Sequence, residues 1–210
     1  MDAPLPNFLI AALALGIALA LRPWRCVGEQ GPPTPWLLAW AVMPLLWGLD
    51  RFADVPSLPS VSGVALLVLL AGWPLAVLSL FPVALVMLLC TDLGAAQTLH
   101  RLVWLGIVPA TLLLGVGAAL RRWLPNQVFV YILGRGFFGT LFATVAASFA
   151  ALALSGSAAG SDAFVARGLL AFGEAFITGG LAASLVAFRP QLLATYADRL
   201  YLGAPAPRGP

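Results

Sequence analysis

The chain is poor in charge. Of its 210 residues only 9% are Asp, Glu, Lys or Arg, against 61% hydrophobic, and the mean hydropathy is +0.99. A water-soluble domain carries about 25% charged residues because its surface must be solvated, so an ordinary soluble fold is excluded. Disorder and a coiled coil need many more charges, and a disulfide scaffold needs many more cysteines than Cys26 and Cys90. Lysine is absent, and all 11 basic residues are Arg. No basic run is denser than Arg121-Arg122, so the net charge of +3 does not outline a nucleic-acid surface. There is a single His, no Walker phosphate loop and no Gly-x-Ser-x-Gly elbow, so nothing points to an enzyme or to ATP hydrolysis by this chain.

What is present is apolar sequence in runs, and its solvent is expected to be membrane lipid. Spans are expected over residues 8–21, 36–49, 102–120, 127–154 and 164–188. Residues 61–90 run without a charge but contain Gly72-Trp73-Pro74, where missing backbone donors and poor helix propensity should break the helix into a short and a longer arm. The expected fold is therefore an all-α polytopic membrane bundle of about seven transmembrane helices. Residues 1–190 would form one transmembrane domain, and 191–210 a short cytoplasmic tail. The first apolar run follows Met1-Asp2-Ala3-Pro4 with no preceding positive charge, so it is expected to be retained and not cleaved as a signal peptide.

Seven spans place the N-terminus outside and the C-terminus in the cytoplasm. Arg22, Arg25, Arg121, Arg122, Arg189, Arg199 and Arg208 then lie inside, with Arg51, Arg101 and Arg167 outside. A six-span alternative divides the same residues less asymmetrically. Most of the Trp residues fall at span ends, where amphipathic rings favour the headgroup level.

Few residues are left to carry chemistry. Glu174 is the one acid within a span, and an ionisable group at that depth costs at least ~2.5 kcal/mol, so it should face protein or a water-filled path. It either caps a neighbouring backbone, pairs with an Arg, or lines an ion path. Arg135 is the matching base, either paired with Glu174 or snorkelling alone to the inner interface. Gly134, Gly136 and Gly139 on one helix, with Gly173 and Gly179 on another, form small-residue faces that suit tight helix packing. His100 closes an outer loop beside Arg101 and reads as an interfacial residue, with substrate-path contact as the functional alternative. Met1, Asp2, Asp50 and Asp54 share the outer side and together are an oxygen-rich cation candidate.

The stretches Phe129-Val130-Tyr131-Ile132 through Gly136-Phe137-Phe138-Gly139, and Gly173-Glu174-Ala175-Phe176-Ile177-Thr178-Gly179 followed by Arg189-Pro190, resemble the last two helices of CbiM-type permeases. These are the substrate-capturing subunits of energy-coupling factor ABC transporters for cobalt and nickel. Leu58-Pro59-Ser60-Val61-Ser62-Gly63, Ala71-Gly72-Trp73-Pro74 and Gly106-Ile107-Val108-Pro109 are similar to the family's middle. The resemblance covers roughly residues 58–190. It implies a bacterial inner-membrane location, transported Co2+ or Ni2+ with no covalently bound cofactor, and a transmembrane coupling subunit and ATPase subunits as partners. The family opens Met-His, whose terminal amine and imidazole hold the metal, and adds a second His after its Pro-Ser-Val-Thr-Gly-like stretch. Here Asp2 follows Met1, and Gly63 leads into Val64-Ala65-Leu66. The chain thus resembles a divergent member that lacks the Met-His motif, with a non-transporting membrane scaffold or assembly protein as the alternative.

Overall fold

The computed structural model describes residues 4–26, 34–53, 60–125, 127–155 and 161–196. Among these no strand occurs. That follows from the composition, because in lipid each backbone amide and carbonyl must be satisfied within its own segment, which a helix does without a partner.

In chain order the helices are α1 (Pro4–Ala20), α2 (Thr34–Trp47), a single turn α3 (Leu49–Phe52), α4 (Val64–Ala71), α5 (Trp73–Cys90), α6 (Ala95–Arg101), α7 (Val108–Trp123), α8 (Gly139–Ser155) and α9 (Ser161–Phe188). π-helical segments at Leu102–Ile107 and Val130–Phe138 lead into α7 and α8 without a break. Among the described residues four helices are long and apolar enough to cross a membrane: Trp73–Cys90, Ala95–Trp123, Val130–Leu154 and Phe164–Phe188. Their outer faces present large apolar side chains, such as Phe176 at 68% and Phe188 at 82% exposure. A surface of this kind is stable against acyl chains and not against water.

The break expected in the long apolar run falls at Gly72, whose φ of +77° is a conformation that side chains with a Cβ rarely adopt. The two arms differ sharply. α5 has 18 residues and α4 has eight, a rise of ~12 Å, well short of the ~30 Å hydrocarbon core. All of α4 except Leu66 is buried, so this helix is apolar on every side because protein surrounds it on almost every side. It lies in the middle of the bundle, against α2, α5, α7 and α9. α1 and α2, with 17 and 14 residues, are also shorter than a full perpendicular crossing.

The end of α4 is closed by the chain that follows α9. The Ala194 amide donates to the Leu70 carbonyl (3.2 Å) and the Thr195 hydroxyl to the Leu69 carbonyl (3.0 Å), which satisfies helix-terminal acceptors that would otherwise be unpaired. Thr195 Oγ1 also lies 2.8 Å from the Tyr131 hydroxyl, and Leu193 and Tyr196 are buried. The first part of the expected tail, residues 193–196, is thus packed against the bundle. The opposite end of the bundle holds Asn7 near the start of α1, bonded to the Trp104 indole (3.2 Å).

Candidate functional site: a clamped strap beneath a polar cavity

Between α3 and α4 the described chain resumes at Ser60, and Ser60 to Gly63 form a non-helical strap inside the bundle. Non-helical backbone at that depth exposes amides and carbonyls that lipid cannot satisfy. Several of these groups are met by specific partners. The Val61 amide donates to the Leu46 carbonyl (3.2 Å), and the Ser62 carbonyl accepts from the indole of Trp47 (2.9 Å), a side chain fully buried at 0% exposure. The Ser62 hydroxyl donates to the Leu105 carbonyl (2.7 Å). Glu174, 6% exposed, accepts the Ser62 amide on Oε2 (3.2 Å) and the Gly63 amide on Oε1 (2.9 Å).

Glu174 thus caps the start of α4 from a different helix. Gly63 immediately precedes α4 with φ +66°, and its amide and that of Ser62 are donors that α4 itself cannot use. A carboxylate placed there also meets the positive end of the helix dipole. Of the roles open to Glu174 in the sequence, backbone capping is the one observed.

The expected pairing of Glu174 with Arg135 does not form. Both carboxylate oxygens are taken by the strap, and Arg135 is buried elsewhere at 4% exposure, its guanidinium lying over Gly117. A Cβ at residue 117 would come within 2.6 Å of three guanidinium atoms, so a glycine there makes room for the arginine.

The outer end of the strap is held by an ion pair. Arg101 Nη2 lies 2.6 Å and Nη1 2.8 Å from the two oxygens of Asp50, the fork geometry that suits guanidinium and carboxylate. The same Nη1 donates to the Ser60 hydroxyl (3.1 Å) and to the Trp47 carbonyl. Burial alone would raise the Asp50 carboxyl, but the Arg101 hydrogen bonds and charge, helped by Arg51, outweigh it and hold the group below the ordinary 3.8. Asp50, one of the expected oxygen-rich set, is thus paired with Arg101. The other members of that set, Met1, Asp2 and Asp54, lie outside the described residues.

Above the strap is a partly open cavity of about 170 Å³, toward the end of the bundle where α8 finishes and α9 begins. Its polar wall carries Ser60, Ser62, Arg101, Thr144, Ser148 and Arg167. His100, whose ring lies 6.2 Å from that of Trp104, also lines it. A second, larger groove of about 410 Å³ between α2, α4 and α9 is lined almost entirely by apolar residues, with Gly63 and Glu174 at its inner wall. The strap and Glu174 separate the two spaces.

The packing glycines divide. A Cβ at Gly136 would meet Ala182 and Gly179 at 3.3 and 3.4 Å, and one at Gly179 would meet Phe137 at 3.2 Å, so these two mark a close approach of the Val130–Phe138 segment to α9. Gly134 and Gly139 face Leu120 and Leu113 respectively, both at 3.1 Å. Gly173 meets nothing within 4 Å and is not a packing residue.

Sequence reasoning passed over Arg167, Thr144, Ser148 and the structural use of Arg101. Two of these are hydroxyl residues in apolar helices, and two are arginines at span ends that also fit a topology signal. Among the described residues no group of three or more His, Cys, Asp or Glu side chains is placed to hold a metal ion. No protein-family model, curated protein or solved structure matches the chain.

Proposed function

We propose that this chain is a multi-pass inner-membrane permease subunit that takes a small polar solute into the cavity above the Ser60–Gly63 strap, as the substrate-binding component of an energy-coupling factor type transporter. The observation that carries the reading is the cavity itself. It carries two arginines, His100 and four hydroxyl residues on an otherwise apolar lining, lies inside a bundle with a lipid-facing exterior, and is floored by a strap held from α2, α6, the Leu102–Ile107 segment and α9. A polar cavity in an apolar bundle costs stability, because the same space filled by Leu or Val would pack better, and solute binding accounts for that cost. The resemblance to CbiM-type permeases supplies the transporter class, the outside N-terminus and the partner subunits.

The cavity does not fit Co2+ or Ni2+ as cargo. Those ions favour several imidazole or thiolate ligands, and the lining offers one imidazole beside two guanidinium groups, which repel a cation. The cargo reading here is a small solute that tolerates positive charge.

Affinity purification of the tagged chain from its native membrane in mild detergent tests the class. Stoichiometric recovery of a second membrane subunit and of ATPase subunits is the expected result. Recovery of the chain alone, with normal solute uptake in cells lacking it, would instead favour a scaffold.

A further inference from the structure

The cavity lining has an uneven charge balance. Two guanidinium groups, Arg101 and Arg167, border it, and none of the described residues lining it is acidic. Arg101 is neutralised from behind by Asp50. Arg167 has no such partner: the hydrogen bond of its half-buried guanidinium is to the Ser148 carbonyl at 3.3 Å, which leaves most of its donors unused. Glu174, below the floor, is committed to the Ser62 and Gly63 amides. A guanidinium in a low-dielectric cavity without a counter-charge is an anion site, since a carboxylate there gains a charge-assisted, two-point hydrogen bond that water matches poorly.

The rest of the lining selects among anions. Thr144, Ser148 and Ser60 supply hydroxyl groups near the guanidiniums, whereas Trp104, Leu105, Pro109, Ala147, Ala151 and Leu170 give the same space an apolar wall. A fully hydrated oxyanion would lose solvation against that wall and gain nothing from it. A molecule with one anionic end and a short apolar body satisfies both halves. Size sets the upper limit, because an apolar cavity of ~150 Å³ admits a benzene ring, and this one is about 170 Å³.

We propose that the cavity between Arg167 and the Ser60–Gly63 strap binds a small organic monocarboxylate, its carboxylate on Arg167 and its apolar body against Trp104, Pro109 and Leu170. The proposal rests on the permease reading and names the substrate class of that same cavity.

Benzoate is a suitable probe, with benzamide as its neutral isostere and inorganic phosphate and cobalt chloride as competing chemistries. Binding to the full chain in nanodiscs is measured by equilibrium dialysis with labelled benzoate. One saturable site is expected, with benzamide, phosphate and cobalt each failing to displace the label at equal concentration. Arg167→Gln is expected to weaken benzoate at least about tenfold, and Arg167→Lys to recover part of that loss, because the charge is kept and the fork is not. Monodispersity and melting temperature of each variant separate lost binding from lost fold. Should Arg167→Gln not fold, the benzoate and benzamide comparison on the unaltered chain still decides. Absence of saturable benzoate binding, equal binding of benzamide, tighter binding of phosphate or cobalt, or unchanged affinity in a folded Arg167→Gln variant would each overturn the proposal. Copurification of ATPase subunits is independent of all of these, so the substrate class can fail while the permease reading stands.

Discussion

Glu174, in the middle of α9, accepts the backbone amide of Gly63 at 2.9 Å across 111 residues of sequence. This one side chain joins the 28-residue α9 to the start of α4, whose residues are buried except Leu66. The contact is structural in kind, and it sits directly between the polar cavity and the apolar groove, so it fixes the floor on which any solute would rest.

Replacing Glu174 tests the clamp. Gln keeps the shape but has only one acceptor oxygen, so either the Ser62 or the Gly63 amide is left without its partner in a buried site. Glu174→Gln is expected to cost about 1–3 kcal/mol, and Glu174→Ala more, since it leaves both donors unpaired and opens a void. Thermal unfolding in a mild detergent reads this, and a melting temperature equal to that of the unaltered chain in Glu174→Ala would show that the clamp contributes nothing.

The separation of Glu174 from Arg135 has its own consequence. The two share no partner, so Glu174→Gln and Arg135→Gln should destabilise independently, with the double variant additive to within about 0.5 kcal/mol. Recovery of stability in the double variant would mean that the two charges interact after all.

A pH dependence follows from Asp50. Its carboxyl is held below 3.8 when folded, so the pair with Arg101 contributes fully above the unfolded value and its contribution is lost as pH falls through the folded one. Melting temperatures of the unaltered chain and of Asp50→Asn should therefore differ most above about pH 5 and converge as the pH is lowered below about 4. A constant gap across that range would place the stabilising role of Asp50 in its shape and not its charge.

Two glycines in similar sequence settings should respond oppositely. At Gly136 an added Cβ presses on Ala182 and on the Gly179 backbone, so Gly136→Ala should lower the melting temperature. At Gly173 nothing lies within 4 Å, so Gly173→Ala should be neutral or stabilising by up to about 1 kcal/mol through helix propensity. Equal effects at both positions would count against the close approach at Gly136.

Much of this was legible residue by residue. The helical class follows from the scarcity of charge, the break at Gly72 from the Gly-Trp-Pro sequence, and the burden on Glu174 from its being the one acid in a long apolar run. Backbone capping was among its open roles. The small-residue faces were half right: Gly136 and Gly179 meet, and Gly173 does not, because one-dimensional spacing places a residue on a helix face but does not say which neighbour that face meets.

The sequence by itself determined that the chain is a helical bundle with an apolar exterior, since so few charges can solvate no other surface. Only the tertiary structure decided that α4 is an eight-residue helix enclosed by the bundle, that Glu174 serves its amides in place of Arg135, and that Arg101 and Arg167 border one cavity while Asp50 offsets only the first. The physical reason is the same in each case. Burial in lipid depends on local composition, whereas the partner of a buried polar group depends on which distant segments the fold brings within about 3 Å, and apolar sequence of low complexity carries little record of that.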